Sequence, residues 1–278
     1  MSTATTNEVA LKPLPASHYG FADLVRSEWT KIRTVRSTVW TVGLTIILGI
    51  GIGALVTAVT RGHWSSMNQF SRQTFDAPAT SLIGLLFAQF SIGVLGAMAV
   101  TAEYSTGTIR ATFSAAPNRL RVYGAKIAVF GVLALIVAEF TSFVAFFLGQ
   151  FLLSAPATHA TLSTPGALRA VVGGGLFICL LGLLALGLGT IIRHTAGAIS
   201  AFVGILLVIP LIAQALPYQL SIDVRRYLPI SIGSQIVTTN RADNGAGSLS
   251  PWMGMLVLAI EATVLLIIGG ALLQRRDA

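Results

Sequence analysis

Charge is what this 278-residue chain has least of: Asp, Glu, Lys and Arg make up only 10% of it. A water-soluble domain carries about 25%, so a water-facing surface over most of the chain is excluded. Cysteine is nearly absent too. The single Cys179 can form no internal disulfide and no metal site, and it reads as a small buried hydrophobe. Only three lysines occur, Lys12, Lys31 and Lys126, and none closes a GxxxxGK[ST] loop. Nucleotide hydrolysis by a phosphate-binding loop on this chain is therefore excluded. The four histidines, His18, His63, His159 and His194, share no metal-ligand spacing, and no serine, histidine and acid set is placed by a motif. The reading is a chain with no catalytic residues, no metal and no cofactor of its own.

What is abundant is apolar sequence, 54% of the chain with a mean hydropathy of +0.79. It is gathered into runs of roughly 20 residues, the length that crosses a bilayer as a helix. The fold class is all-α polytopic membrane protein. Six spans are expected at about 38–60, 79–100, 125–153, 169–192, 195–217 and 252–273. Arg193 and His194 alone separate the fourth from the fifth, which predicts a tight hairpin. The first apolar run begins near Ser37 and is too long for a cleavable signal peptide.

The net charge of +8 follows a side preference. Lys12, Arg26, Lys31, Arg33, Arg36, Arg110, Arg119, Arg121, Lys126, Arg193, Arg275 and Arg276 fall on the side of both termini. Arg61, Arg72, Arg169, Arg225, Arg226 and Arg241 fall on the other. Basic residues are retained in the cytoplasm, so both termini are expected there. No basic run carries the stacking aromatics of a single-strand binder, and nucleic acid is not expected as a partner.

Residues 1–20 are polar and read as a disordered cytoplasmic tail, residues 274–278 as a second short tail. Between them, "FADLVRSEWTKIRTVRSTV" places Phe21, Leu24, Val25, Trp29, Ile32, Val35 and Val39 on one helical face. Asp23, Arg26, Lys31 and Arg33 fall opposite. An amphipathic helix over 21–37 suits the membrane interface, with lipid as its partner, or a neighbouring helix. Glu28 falls within the apolar arc and calls for a basic partner from elsewhere in the chain. "YLPISIGSQIV", residues 227–237, is apolar but too short to span. It reads as a re-entrant or surface-lying segment, or as a loop with buried apolar residues. Gly49 and Gly53 form a GxxxG, for close packing within the chain or for a dimer contact.

The most informative stretch is polar: "TAEYSTGTIRATFSAAPNRLRVYGAK", residues 101–126. Ser105 or Thr106 can cap a short helix. Ile109 and Phe113 then share a face, and Pro117 ends the helix after about two turns. The product has an apolar ridge and a basic end, suited to a groove on a soluble partner or to lying on lipid headgroups.

This segment resembles the first cytoplasmic loop of the ABC-2 type permeases, the membrane subunits of ATP-binding cassette exporters. Glu103, Gly107, Thr108, Pro117, Arg119 and Lys126 stand at that loop's characteristic places. "RSEWTKIRTVRSTVW" is similar to the lead-in of actinobacterial members, and "EFTSFVAFFLGQ" to their third span. The resemblance implies a six-helix transmembrane domain over 38–273 in a bacterial plasma membrane. It also implies a coupling helix after Glu103 that seats in a separate ATPase subunit, where ATP and Mg would reside. Two permeases, identical or sister chains, would pair with two ATPases and move substrate by alternating access. Ile109 and Phe113 would be the anchors of that contact, and Arg110 and Arg119 its rim charges.

Glu139 and Glu261 fall mid-span, with no Lys or Arg at the same depth. An intramembrane carboxylate costs ~2.5–3.5 kcal/mol on insertion scales. These two can line a translocation pathway, relay protons, or be satisfied by neighbours such as Gln89, Thr141, Ser142 or Gln150. An ion-coupled secondary carrier working through Glu139 and Glu261 is accordingly the alternative function, although no internal repeat supports it.

Overall fold

A computed structural model describes residues 20–153, 157–240 and 248–275. Of the tail expected at residues 1–20, residues 1–19, with Lys12 and His18, lie outside the described residues, as do Arg241 and Arg276. Among the described residues the structure is helical and without strands. In chain order the helices are α1 (Phe21–Thr34), α2 (Arg36–Gly62), α3 (Gln69–Gln73), α4 (Ala77–Ser81), α5 (Leu85–Ser105), α6 (Thr108–Ala115) and α7 (Arg119–Leu152). They continue with α8 (Ala167–Ile192), α9 (Thr195–Val203), α10 (Ile209–Gln214), α11 (Tyr218–Arg225), α12 (Pro229–Val237) and α13 (Pro251–Arg275). Six segments are long and apolar enough to cross a membrane: α2, α5, α7, α8, α13 and the combined stretch Thr195–Gln214.

The glycine-rich α8 is the most buried span and packs against α5, α7, α12 and α13. The outward faces of α2, α7 and α13 carry Trp40, Ile47, Ile136, Phe140, Leu256 and Ile267, all exposed. Apolar residues on that surface are what hydrocarbon requires.

Three boundaries and the interior of one span differ from the sequence expectation. The second span does not run unbroken from 79. Asp76 caps the short α4, which has Pro78 in its first turn, and α5 restarts at Leu85. Between them Gly84 lies directly against the backbone of Gly49 and Gly53, so the GxxxG of α2 serves packing within the chain. The third span starts at Arg119 rather than near 125, capped by the Asn118 side chain, which accepts from the Arg121 amide at 3.1 Å. The amphipathic helix stops at Thr34 instead of continuing to 37, because Val35 is extended and redirects the chain into α2. The fifth span contains a π-helical turn, Gly204–Val208, just before Pro210.

The short apolar segment 227–237 is a helix. Most of it forms α12, whose Ile232 and Ile236 are fully buried against α8 and α13. The end of the bundle where it sits is closed by polar contacts. Asp76 accepts from the Thr239 hydroxyl and the Asn240 amide, each at 2.8 Å. Arg169 donates to the carbonyls of Gln235, Ile236 and Thr238 at 2.8–3.2 Å, which satisfies the C-terminus of α12. At the opposite end lie α1, α6, the α8–α9 hairpin and the end of α13.

Candidate functional site

The polar stretch 101–126 folds as anticipated in outline: α5, a sharp turn, the eight-residue α6, and α7. The turn is made differently. Gly107 is the N-cap of α6, with φ at 72° in the left-handed region that glycine occupies freely. Neither Ser105 nor Thr106 caps α6, because both hydroxyls donate back to the Ala102 carbonyl at the end of α5. At the other end Ala116 is non-helical before Pro117, as the pre-proline restriction demands.

The ridge of α6 faces home. Ile109 is only 5% exposed, and it shares a small cleft with Phe113, Val100, Val122, Tyr123, Thr190 and Leu273. In this chain the ridge expected to plug a partner's groove is packed against the ends of the spans. The spans' own apolar ends were available to bury it, and burial within the chain needs no second molecule. Phe113 is half-buried, with the Arg119 guanidinium 5.3 Å from its ring centre. Arg119 also donates to the Leu273 carbonyl at 3.2 Å, so it is turned inward to the end of α13. What α6 presents outward is Thr108, Arg110, Ala111, Ser114 and Ala115.

Two further side chains bind the same end together. The Tyr123 hydroxyl donates to the Leu266 carbonyl of α13 at 3.2 Å. Arg193, itself at a positive φ of 60°, donates to the Leu272 carbonyl at 3.1 Å and lies 5.1 Å from the Tyr104 ring centre. The α8–α9 hairpin expected at Arg193 and His194 is present, with His194 capping α9 through the Gly197 amide.

Beside α6 sits a cluster of four charges. Lys126 of α7 donates to Glu28 of α1 at 2.6 Å and to Glu103 of α5 at 2.8 Å. Lys31 of α1 donates to the same two carboxylates at 2.6 and 2.9 Å. The side chains of Glu28, Lys126 and Glu103 are 6%, 8% and 12% exposed, that of Lys31 35%. Two positive and two negative charges balance, which is the condition for burying them at all. Burial by itself would pull the Lys31 ammonium down. The Glu28 and Glu103 carboxylates more than offset that, and its pKa lies above the ordinary lysine value. Glu103 therefore faces into the protein, and three helices are tied at one point.

Sequence reasoning named Glu103 and noticed Glu28, but did not join them. The signal was there: a lone acid on the apolar face of an amphipathic helix, and a lysine inside the opening turns of a span. Each is costly alone, and they are the natural partners of one another.

The mid-span carboxylates lie elsewhere. Glu139 is half-buried with its carboxyl over Gly175 of α8, and its Oε2 has no hydrogen-bond partner. None of the neighbours proposed for it reaches it. Ser142 donates to the Val171 carbonyl, Thr141 to Val137, Gln150 to Ala77 and Ser81, and Gln89 to Leu86. Glu261 is half-buried on α13. Among the described residues no group of three or more His, Cys, Asp and Glu side chains could hold a metal ion.

Six apolar spans, with the polar connection between two of them folded as a short helix against the ends of the others, define a multi-pass membrane protein. The chain belongs to the ABC-2 family of transporters: the family described as ABC-2 family transporter protein matches residues 24–213. The match covers α1 from Leu24, the charge cluster, α6, the first four spans and the fifth up to residue 213. It makes this chain a membrane transport component. No curated protein matches the chain.

Proposed function

We propose that the chain is the permease subunit of an ATP-driven exporter, working with a separate ATPase subunit that binds α6. The single observation that carries the reading is the construction of α6. It is a short helix with an exposed face of Arg110, Ala111 and Ser114. Its buried face is rooted, through Ile109 and Phe113, on α7, α8 and α13. A push on the outer face would pass to the end of the last span through Arg119 and Leu273. The same push would reach α1 and α7 through Glu103. In this reading Ile109 and Phe113 are the root of the coupling helix rather than its contact surface, and Arg110 is the charge that meets the partner. Glu103, Gly107, Thr108, Pro117 and Arg119 set its position. Both termini and α6 are cytoplasmic, in keeping with the basic-residue bias. The ATPase carries ATP and Mg, and a second permease, the same chain or a sister, completes the pathway.

The test is affinity capture of the gently solubilised protein from native membranes, followed by assay of ATP hydrolysis. A bound ATPase that is lost on Ala111→Trp and Ser114→Trp, with the permease still folded, supports the reading. Failure to recover an ATPase in several mild detergents opposes it.

The ion-coupled carrier draws on a different observation, the unpartnered Oε2 of Glu139. It requires that Glu139→Gln abolish transport and that an imposed proton gradient drive it. The ATP-driven permease requires that Glu139→Gln leave ATP-dependent transport substantially intact.

A further inference from the structure

A pocket of about 420 Å³ separates the last turns of the fifth span from the α11–α12 pair. It runs from the π-helical turn Gly204–Val208, where α12 packs on the span, to Gln214 at the span's end. Turns of that kind recur at functional sites. Leu206, Leu207, Leu211 and Ile230 make the wall apolar.

The polar part of the lining offers donors, and no Asp or Glu belongs to it. Arg225, the last residue of α11, lines the pocket itself and makes no ion pair or hydrogen bond among the described residues. The nearest acid in sequence, Asp223, lies about 200° round the helix from it. That carboxylate is spent on Arg226 at 3.3 Å. Ser231 of α12 lines the pocket as well. Ser234 donates back to the Ser231 carbonyl at 2.8 Å, whereas the Ser231 hydroxyl bonds to nothing among the described residues. The lining is therefore positive, with an unspent guanidinium and an unspent hydroxyl.

Water alone would leave the leucines wetted. A plain hydrocarbon would leave Arg225 and Ser231 unmet, and a cation would be repelled. A molecule with an anionic head and an alkyl chain meets the whole lining. Leu207 and Leu211 are exposed on the flank of the span that also carries Val208 and Ile212, so the pocket opens sideways toward hydrocarbon. Tyr218 and Tyr227, exposed at either end of α11, suit the level of the headgroups. Through such an opening the bilayer's own phospholipids are the amphiphiles in greatest supply.

We infer that this pocket holds one anionic phospholipid of the leaflet on the α11–α12 side, with its phosphate at Arg225 and Ser231 and one acyl chain along Leu207 and Leu211. The lipid would bridge α11 and α12 to the end of the fifth span, where the chain itself leaves them apart. The inference rests on the membrane-spanning arrangement and not on the ATPase partner.

Native mass spectrometry of the delipidated full-length protein, titrated with phosphatidylglycerol or with phosphatidylcholine of the same chains, tests it. One saturable phosphatidylglycerol adduct is expected, roughly fivefold tighter than phosphatidylcholine, as one near-surface basic residue implies. R225Q alters an exposed side chain that nothing in the protein relies on, and it should bring the two lipids level. R61Q, an exposed arginine of α2 at the same end of the bundle, should leave the preference as it is. Ser231→Phe fills the pocket and should remove the adduct. Equal binding of both lipids by the unaltered protein overturns the inference, as does a preference that survives R225Q or one that R61Q abolishes as fully. Co-purification of an anionic amphiphile that is not a bilayer lipid, and that is lost in Ser231→Phe, overturns it in favour of a cargo site.

Discussion

Replacing Lys126 with methionine should loosen the tie between α1 and the spans more than any exposed ion pair could. Lys126 donates at 2.6 and 2.8 Å to two carboxylates that are themselves almost fully buried. Methionine keeps the length of the side chain and removes the charge, so packing is nearly conserved. Two carboxylates then share Lys31 alone, and the cluster carries a net negative charge. Stranding a buried charge in this way costs ~3–5 kcal/mol. Lys31 is partly exposed, with its side chain 35% accessible, which places the expected loss near ~3 kcal/mol, the lower end of that range. The double change Glu28→Gln with Lys126→Met restores neutrality, so its cost should fall short of the sum of the single changes by ~0.5–3 kcal/mol. Unfolding in mixed micelles titrated with denaturing detergent gives these values, and hydrogen exchange of α1 gives the location. A loss of ~1 kcal/mol or less, the size of an exposed pair, with α1 exchange unchanged, would refute the claim that the cluster holds α1 in place.

Three further outcomes follow from other parts of the molecule. A methyl group on Gly84 would press on the Gly49 carbonyl carbon at 2.7 Å and the Gly53 nitrogen at 2.9 Å, backbone atoms that cannot turn aside. Gly84→Ala should therefore destabilise by ~1–3 kcal/mol or more, whereas Gly43→Ala, with open space around it, should be neutral or slightly stabilising by thermal unfolding. Because the pKa of Lys31 is raised on folding, its contribution to holding α1 is complete below the ordinary value of 10.5 and is lost as pH climbs through the raised one. The rise in α1 mobility should begin only in that alkaline window, and Lys31→Met should remove its pH dependence. Glu139→Gln should fold at least as well as the unaltered protein, since it replaces an ionisable mid-span carboxylate, one oxygen of which has no partner, with a neutral amide of the same shape.

The six spans were legible because length and apolar composition are what a bilayer selects, and neither depends on tertiary contacts. The break at residues 82–84 was not. Leu82, Ile83 and Leu85 continue the apolar run, and hydropathy is blind to a backbone crossing at Gly84. The early start of α7 was hidden by Arg119 and Arg121, which read as charges outside a span. Arg119 and Lys126 prove to be spent on the Leu273 carbonyl and on buried carboxylates. The Ile109–Phe113 ridge was legible as a shared helical face. Periodicity says that two residues face the same way, but not whether the surface they meet belongs to the same chain. The pairing of Glu28 with Lys126 spans 98 positions, and no local pattern encodes a contact of that range.

The central claim is that the outer face of α6 meets an ATPase while its inner face drives the spans. A photo-crosslinking residue at position 114, in otherwise unaltered membranes, tests it most directly. The account predicts a crosslinked product that contains an ATP-binding cassette ATPase, formed from Ser114 but not from the buried position 109. Crosslinking from position 114 only to lipid, or to this chain itself, would contradict it.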